Sequence, residues 1–389
     1  MRVYIKTGND ILAQSDEVRR FEIINETLSI WDKLPIHIKN DFIKTYESDI
    51  ESYIENLENC ADYKSRRNVL RLKKMFSNNS VQCALSKKFC ESFLPTGFMK
   101  GELYVLSGIS GGGKTAFSIM LTSVLIMGYN RYLDSPNQVT TPCIYVSLEQ
   151  SQFQIEARIM STLNALQTGK TIPYSALING SESVQDKDID LAFYIFEICK
   201  KNLLILDLES FTTTPSVYQL IDELSARLPL FEKKPLVIID RYENILGAND
   251  NVNDEVAREL KSFAIKHNVP VIVQSQLNKS SIASAKKADG SLDYQKISAN
   301  SLKGSSGLEH HSSSVMVIVP SNKMIEKDGQ RVKLVNLIQP KSRYCENTML
   351  KMLFNGANNI FLDYIETRGR KKKEEGEDDE RTSDNFGKI

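Results

Sequence analysis

Short runs of consecutive apolar residues alternate with helical patterns from about residue 100 onward. The apolar runs span 103–107, 143–148, 203–208, 236–240 and 270–274. Helical patterns lie between them, at about 116–127, 150–166, 190–200, 215–228 and 252–267. Continuously apolar strands separated by helices are typical of a parallel sheet that is covered on both faces. The pattern therefore predicts an α/β core.

Further strand patterns follow this core. Apolar runs at 314–319 and 333–339, and a hairpin pattern around 348–363, predict additional strands at one edge of the sheet. The core is thus expected to span 91–366. In the remaining tail, 367–389, a basic block meets an acidic block, and this charge pattern predicts disorder.

The N-terminal third, residues 1–90, is more polar than the core. Its apolar residues recur at spacings of three and four, which predicts amphipathic helices at 42–57 and about 69–76. The second of these stretches is basic. A solvated helix face explains that charge, and a contact with DNA or a partner is the alternative. We predict a small helical appendage followed by a linker.

Composition limits the class of protein. Lys+Arg and Asp+Glu both number 49 in the 389 residues, so any surface that binds nucleic acid must be local. Six cysteines without a C-x-x-C pair argue against a zinc site and a disulfide framework. No stretch approaches the roughly 20 apolar residues of a membrane span, and no secretion signal is visible. These features predict a cytoplasmic protein without membrane contact.

One stretch carries the clearest chemistry. Gly108 to Thr115 matches G-x-x-x-x-G-K-[ST] and lies between a strand pattern and a helix pattern, which disfavours a mere flexible turn. Its glycines let backbone N–H groups surround a phosphate. Lys114 would neutralise the β- and γ-phosphates, and Thr115 would bind Mg²⁺. The residues predicted to bind the nucleotide are Gly108, Ser110, Gly111, Gly112, Gly113, Lys114, Thr115 and Ala116.

Polar residues that follow the apolar runs are the next candidates, because ligands bind at the carboxyl ends of parallel strands. Asp240 is predicted to bind Mg²⁺ together with Thr115. Glu149 would orient and deprotonate a water that attacks the γ-phosphate in line. The alternative is that Glu149 only stabilises the start of the next helix. Gln276 would donate to a γ-phosphate oxygen, unless it is only a polar strand end. For Asp207, a helix cap and a functional role fit equally well.

In this order, the motifs resemble the ATPase domain of DnaB-type replicative helicases, within the RecA-like superfamily. The resembling segments are Phe93–Glu102, Ser147–Gln150, Val237–Asp240, Glu255–Lys279, Leu302–Glu309 and Lys341–Arg343. The resemblance implies a RecA-like fold, ATP and Mg²⁺ as cofactors, and Glu149 as catalytic base. Three features depart from the family: Arg241-Tyr242, His310-His311 and the whole of 1–90. The unfamiliar N-terminal third favours a phage or plasmid version of a bacterial protein.

The resemblance also implies an assembly. Lys341 and Arg343 follow a strand pattern and a proline, where the family has a pair that reaches the ATP of a neighbouring subunit. A solvated turn is the alternative reading of these two residues. The implied partners are other copies of the chain in a ring, usually a hexamer, together with a primase or a helicase loader.

A long, lysine-bearing connection is the candidate for DNA contact. It runs from residue 279 to 303 with little apolar periodicity, and loops this long are usually functional or disordered. Basic side chains there suit sequence-independent contact with single-stranded DNA, although a solvated loop is the alternative. The candidate DNA-binding residues are Lys279, Lys286, Lys287, Lys296 and Lys303.

These features predict an ATP hydrolase. The leading hypothesis is a ring-forming helicase that translocates on single-stranded DNA and unwinds duplex during DNA replication. One alternative is a RecA-like ATPase that binds single strands in recombination. The other is a regulatory ATPase scaffold that does not unwind DNA.

Overall fold

The computed structural model of the protein divides into two compact units, 1–80 and 81–389. The described residues are 23–24, 26–27, 80–81, 85–86, 88–128, 140–180, 184–211, 213–248, 253–288, 292–302, 305–327 and 330–364. The predicted helices at 42–57 and 69–76, the tail 367–389 and Lys303 lie outside these residues. The predicted domain bounds stay predictions.

Two sheets are present in the described part of the chain. The small one pairs β1, Ser80–Val81, with β2, Phe98–Met99. The large one has nine strands: β3 Leu103–Gly108, β4 Cys143–Ser147, β5 Leu203–Asp207, β6 Leu236–Asp240, β7 Val271–Gln276, β8 Ser314–Lys327, β9 Gln330–Ser342, β10 Met349–Asn355 and β11 Ile360–Asp363.

The large sheet is mostly parallel. Its spatial order is β11-β10-β9-β8-β3-β7-β6-β4-β5. Neighbours from β8 to β5 pair in parallel, whereas β9, β10 and β11 add antiparallel strands beyond β8. The prediction of a parallel core with extra strands at one edge is confirmed.

Helices cover both faces of this sheet. They are α1 Lys114–Met127, α2 Gln152–Thr168, α3 Tyr174–Asn179, α4 Asp186–Cys199, α5 Val217–Arg227, α6 Asn253–His267, α7 Lys279–Ala285 and α8 Ser305–His311. Alternate residues of β3 pack in different clusters: Tyr104 and Leu106 with α1 and α2, and Leu103 and Val105 with α5 and α6. None of the helices described here is long and apolar enough to span a bilayer.

Several elements differ in length from the prediction. The hairpin of β8 and β9 continues to the pair Lys327 and Gln330, because ladder hydrogen bonds extend past the apolar runs. Strand β7 ends at Gln276, and β4 ends at Ser147. Glu149 therefore lies in the turn before α2 rather than on the strand.

The connection after β7 differs more strongly, since the sequence predicted a loop without its own core. It contains α7 and short 3₁₀ turns at 294–296 and 299–301. Ala285, Ile297 and Leu302 are buried in one of the two apolar clusters. These anchors are single residues at irregular intervals, so they leave no periodic pattern in the sequence.

Candidate active site

The glycine-rich loop that begins at Gly108, which we call the phosphate loop, joins β3 to α1. It lies at the carboxyl edge of the large sheet, where the parallel strands end. Gly113 has a φ of +100°, a left-handed conformation that favours glycine, and it directly precedes the first residue of α1. A Cβ on Gly112 would lie 2.9 Å from the carbonyl oxygen of Ile109. The tight turn places the loop against the positive end of α1, where an anion is stabilised.

Lys114 brings a buried cation into this loop. Its Nζ donates to two loop carbonyl oxygens at 3.1 and 3.0 Å. Burial lowers the pKa of Lys114, the carboxylates of Glu243 and Asp240 oppose that shift, and Arg241 adds to it. These charged groups therefore share one site around the loop.

Thr115 and Asp240 meet across the sheet. The Thr115 hydroxyl donates to Asp240 Oδ2 at 2.9 Å, and the Tyr145 hydroxyl donates to the same oxygen at 3.0 Å. The register of β4 explains the second bond, because Tyr145 is in register with Ile238, two residues before Asp240 on the same face of β6. Burial raises the pKa of Asp240, and the two hydrogen bonds oppose that shift.

This pair fits Mg²⁺. A hydroxyl and a carboxylate supply hard oxygen ligands, which Mg²⁺ prefers, and the ion usually takes its remaining ligands from water and phosphate. In the described part of the chain, no group of three or more His, Cys, Asp or Glu residues forms an all-protein metal cage. Thr115 and Asp240 are therefore suited to a metal that arrives with the nucleotide.

Glu149 lies in the turn after β4 and contacts Arg241, the residue that follows Asp240. Its side chain is 50% exposed, and Oε2 lies 3.3 Å from Nη1 of Arg241. The Nε of Arg241 lies 3.3 Å from Oε2 of Glu243, whose side chain is only 3% exposed. An exposed carboxylate is thus linked through a cation to a buried one.

Gln276 stands beside the phosphate loop. It ends β7, in register with Gly108 at the end of β3, and the Leu277 N–H donates to the Gly108 carbonyl at 3.3 Å. The backbone N–H of Gln276 donates to Oε1 of Glu243 at 2.6 Å. The structure therefore brings Gln276 to the same edge as Lys114.

Lys341 and Arg343 lie elsewhere. Lys341 pairs with Val315 of β8, which is in register with Val105, three residues before the end of β3. At about 3.3 Å per residue, the chain after Lys341 runs away from the loop toward the amino edge. The fold does not bring this pair together with the phosphate loop of the same chain.

Main-chain carbonyls hold both cations at the amino edge. The Lys341 ammonium donates to the carbonyl oxygen of Glu309, and Nη2 of Arg343 donates to that of His310 at 3.1 Å. Both carbonyls belong to the last turn of α8. Burial lowers the pKa of Lys341, and Arg343 lowers it further.

The four candidate DNA-binding lysines that the structure describes are exposed. Lys279 begins α7, and Lys286 and Lys287 follow that helix directly. Lys296 lies in the 3₁₀ turn 294–296. All four follow β7, the strand that ends at Gln276, so the connection that carries them leaves the sheet at the edge where the phosphate loop lies.

Comparison with known proteins bears on this architecture. A protein family described as "DnaB-like helicase C terminal domain" matches residues 92–363 of this chain. These residues contain every strand of the large sheet. The chain belongs to the DnaB-like helicase C-terminal domain family.

Curated relatives agree with this DnaB-like assignment. A "Probable replicative DNA helicase" of Trieres chinensis is 26% identical over 301 residues, which cover 74% of this chain and 59% of the relative. The "Replicative DNA helicase DnaB" of Buchnera aphidicola is 24% identical over 282 residues, or 70% and 54% of the two chains. The chain therefore matches little more than half the length of these relatives.

Solved structures confirm the RecA-like fold of this DnaB-like domain. One solved structure, described as an ATPase domain, superposes on this chain with a TM-score of 0.58 at 17% sequence identity. The match covers 79% of this chain and all of the solved chain. A DnaB-like replicative helicase, described together with its interactions with primase, gives the same TM-score and identity. It covers 85% of this chain and 78% of that one.

Sequence reasoning missed three side chains of this DnaB-like site. Tyr145 is buried inside an apolar run, so nothing in the pattern marked its hydroxyl. In the sequence, Arg241 stood out only as a departure from the family pattern. Glu243 carried no signal beyond its position three residues after Asp240. Asp207, left open between two roles, accepts from the Gln152 N–H at 2.7 Å and so helps to cap α2.

Proposed function

We propose that this DnaB-like chain is an ATP hydrolase that drives unwinding of duplex DNA during replication. The observation that carries the proposal is the convergence of five side chains at the carboxyl edge of neighbouring strands: Lys114, Thr115, Glu149, Asp240 and Gln276. Their chemistry matches the needs of phosphoryl transfer, namely charge neutralisation, metal binding and activation of a water.

Each group has a distinct role in the proposed reaction. The loop and Lys114 bind the β- and γ-phosphates and neutralise their charge. Glu149 accepts a proton from the water that attacks the γ-phosphorus in line, and the bond from that phosphorus to the leaving ADP breaks. The exposed position of Glu149 leaves room for the water. Gln276, next to Gly108, donates its amide N–H to a γ-phosphate oxygen.

Thr115 and Asp240 would hold Mg²⁺, which when bound would supply positive charge that neutralises the phosphates. Tyr145 keeps the Asp240 carboxylate oriented by donating to Oδ2. Gln274 in turn donates to the Tyr145 hydroxyl at 3.4 Å, which orients that hydroxyl toward Asp240. The chain thus holds the carboxylate in place before any nucleotide arrives.

The proposed active form is a ring of several copies, with six as the expected number. Lys341 and Arg343 lie at the amino edge, away from the phosphate loop of their own chain. Their charge is useful in phosphoryl transfer only if they reach a phosphate loop on another copy. A closed ring gives every loop such a neighbour.

The proposed nucleic-acid partner is single-stranded DNA. Exposed lysines after β7 favour contact with a phosphate backbone irrespective of base sequence. One solved relative is described together with its interactions with primase, which supports a primase as a protein partner of the assembly. A helicase loader is the other partner that the family resemblance implies.

Unwinding of a forked duplex with a 5′ single-stranded tail tests the proposal. The wild type should separate the strands in the presence of ATP and Mg²⁺, and Lys114→Ala should fail because its loop lacks the phosphate-binding cation. Lys200→Ala is the matched control, since Lys200 pairs with Glu197 on the surface. ATP hydrolysis without strand separation under any loading condition would refute the helicase.

A further inference from the structure

The residues after β6 lie between two of the predicted catalytic side chains, Gln276 and Glu149. Strand order places β6 between β7 and β4. Gln276 ends β7, and Glu149 follows β4, so they approach the site from either side of β6. The chain that leaves β6 at Asp240 places Arg241 and Glu243 in the gap between them.

A series of side-chain contacts links these residues. Glu243 Oε1 accepts from the Gln276 N–H at 2.6 Å and from the Ser275 hydroxyl at 2.8 Å. Glu243 Oε2 lies 3.3 Å from Nε of Arg241, and Nη1 of Arg241 lies 3.3 Å from Glu149 Oε2. The series therefore runs from β7 through the segment after β6 to the turn after β4.

Burial falls along the series. The side chains of Glu243, Arg241 and Glu149 are 3%, 23% and 50% exposed, respectively. A carboxylate as buried as Glu243 requires a cation and hydrogen-bond donors, and it has both. Arg241 is thus fixed at its inner end, and its outer end restrains a Glu149 side chain that solvent would otherwise leave free to change rotamer.

We propose that Arg241 and Glu243 form a positioning pair, which holds the Glu149 side chain beside the end of β6 and fixes the end of β7 beside the phosphate loop. The inference rests on the proposed ATP hydrolysis and adds to it a link between the two catalytic side chains. Neither member needs to contact the nucleotide. Arginine suits this role because two separate nitrogens face two carboxylates, which the single ammonium of lysine does not reproduce.

Steady-state hydrolysis and equilibrium nucleotide binding test the pair. Arg241→Gln should lower kcat about tenfold while the Kd of a fluorescent ATP analogue changes by less than about twofold, because Glu149 loses its restraint and the phosphate loop is untouched. Arg241→Lys should restore only part of the loss. Arg227→Gln is the matched control, since Arg227 forms an ion pair of 2.7 Å with Glu223 on the surface of α5.

A double-mutant cycle separates positioning from a general structural effect. In a Glu149→Gln background, adding Arg241→Gln should change the residual turnover by less than about twofold, because the group that Arg241 holds is already disabled. A tenfold loss in both backgrounds would show that Arg241 acts independently of Glu149 and would overturn the proposal.

Folding is controlled by removing both charges of the pair. Arg241→Gln alone leaves a buried carboxylate without its cation, whereas the Arg241→Gln/Glu243→Gln double variant keeps an oxygen that accepts from Gln276. The double variant should bind the analogue normally and still show the loss in kcat. If the double variant regains wild-type kcat, the proposal fails.

The same assays distinguish this inference from the proposed function. If wild type hydrolyses ATP, Lys114→Ala does not, and Arg241→Gln equals wild type, only the positioning pair is wrong. If wild type shows no hydrolysis, the proposed function fails, and the positioning pair fails with it.

Discussion

The candidate site residues at the two ends of the parallel strands have different partners. At the carboxyl edge, side chains hold the carboxylates: Thr115 binds Asp240, and Arg241 binds Glu149, while Lys114 donates to two loop carbonyls. At the amino edge, Lys341 and Arg343 bind main-chain carbonyls of α8. Within the described residues, neither of these two cations forms an ion pair with a carboxylate.

This difference indicates which edge can offer its positive charge to another molecule. A cation on neutral carbonyls gives up less when it moves to a phosphate than a cation in a charged pair. The amino edge therefore presents positive charge that another molecule can take, whereas the carboxyl edge contains the proposed metal-binding pair and the proposed base. We infer that one edge is the nucleotide-binding half of a site and the other is the half offered to a neighbour.

Arg343→Ala should have the largest effect of the variants that follow. If Arg343 stabilises charge in the transition state on a neighbour, hydrolysis should fall on the order of 10³-fold or more. Nucleotide binding by the isolated chain should persist, because the loop is intact. Arg331→Ala, at an exposed position of the same strand β9, should retain wild-type turnover.

Mixing experiments sharpen the same comparison. Arg343→Ala mixed with Lys114→Ala should recover part of the hydrolysis, because some interfaces combine an intact loop with an intact amino edge. Glu149→Gln mixed with Lys114→Ala should recover none, because both defects lie at the carboxyl edge. Equal behaviour of the two mixtures would contradict the division into halves.

Glu149→Gln should reduce kcat by roughly 10²- to 10⁴-fold, which is the usual contribution of a general base. The amide keeps the shape of the side chain but accepts no proton. Binding of an ATP analogue should remain close to that of the wild type. Near-normal turnover would move the base to another residue.

Tyr145→Phe tests the support of the metal pair. The loss of one hydrogen bond to Asp240 should raise the Mg²⁺ concentration needed for half-maximal hydrolysis by about tenfold. This is the low end of the loss in metal affinity that is usual when a group that orients a metal ligand is removed. Tyr104→Phe is the matched control. Its buried hydroxyl accepts from the Met99 N–H toward the amino edge, so the Mg²⁺ dependence should not change.

Lys286→Gln and Lys287→Gln should have the smallest effects. Each lysine that contacts a phosphate of single-stranded DNA adds about 0.7 to the magnitude of the negative slope of log affinity against log salt concentration. The double variant should therefore lower that slope by about 1.4 and weaken binding to all sequences alike. Lys170→Gln is the control, since Lys170 pairs with Asp188 on the surface. An unchanged slope would remove these lysines from the DNA interface.

Local patterns were sufficient for much of this fold. Consecutive apolar residues predicted the parallel strands, and the glycines before Lys114 predicted the loop between β3 and α1. The pairing of Thr115 with Asp240 followed from the rule that polar residues gather at the carboxyl ends of parallel strands. Each of these inferences needs only neighbouring residues or a general property of sheets.

Contacts between distant residues were not predictable in this way. The bond of Tyr145 to Asp240 depends on the register of β4 against β6, and the series from Gln276 to Glu149 depends on strand order. The anchors of the connection after β7 were also missed, because isolated buried residues carry no periodicity.

The sequence alone determined the DnaB-like α/β core, the phosphate loop and the residue types around it. These features are written in consecutive residues whose local conformations follow from sterics, polarity and hydrogen bonding. Only the tertiary structure decided that Lys341 and Arg343 lie at the edge opposite to the loop, and that Arg241 and Glu243 lie between Gln276 and Glu149. The physical reason is that strand order and register are set by packing of the whole core, which no single segment contains.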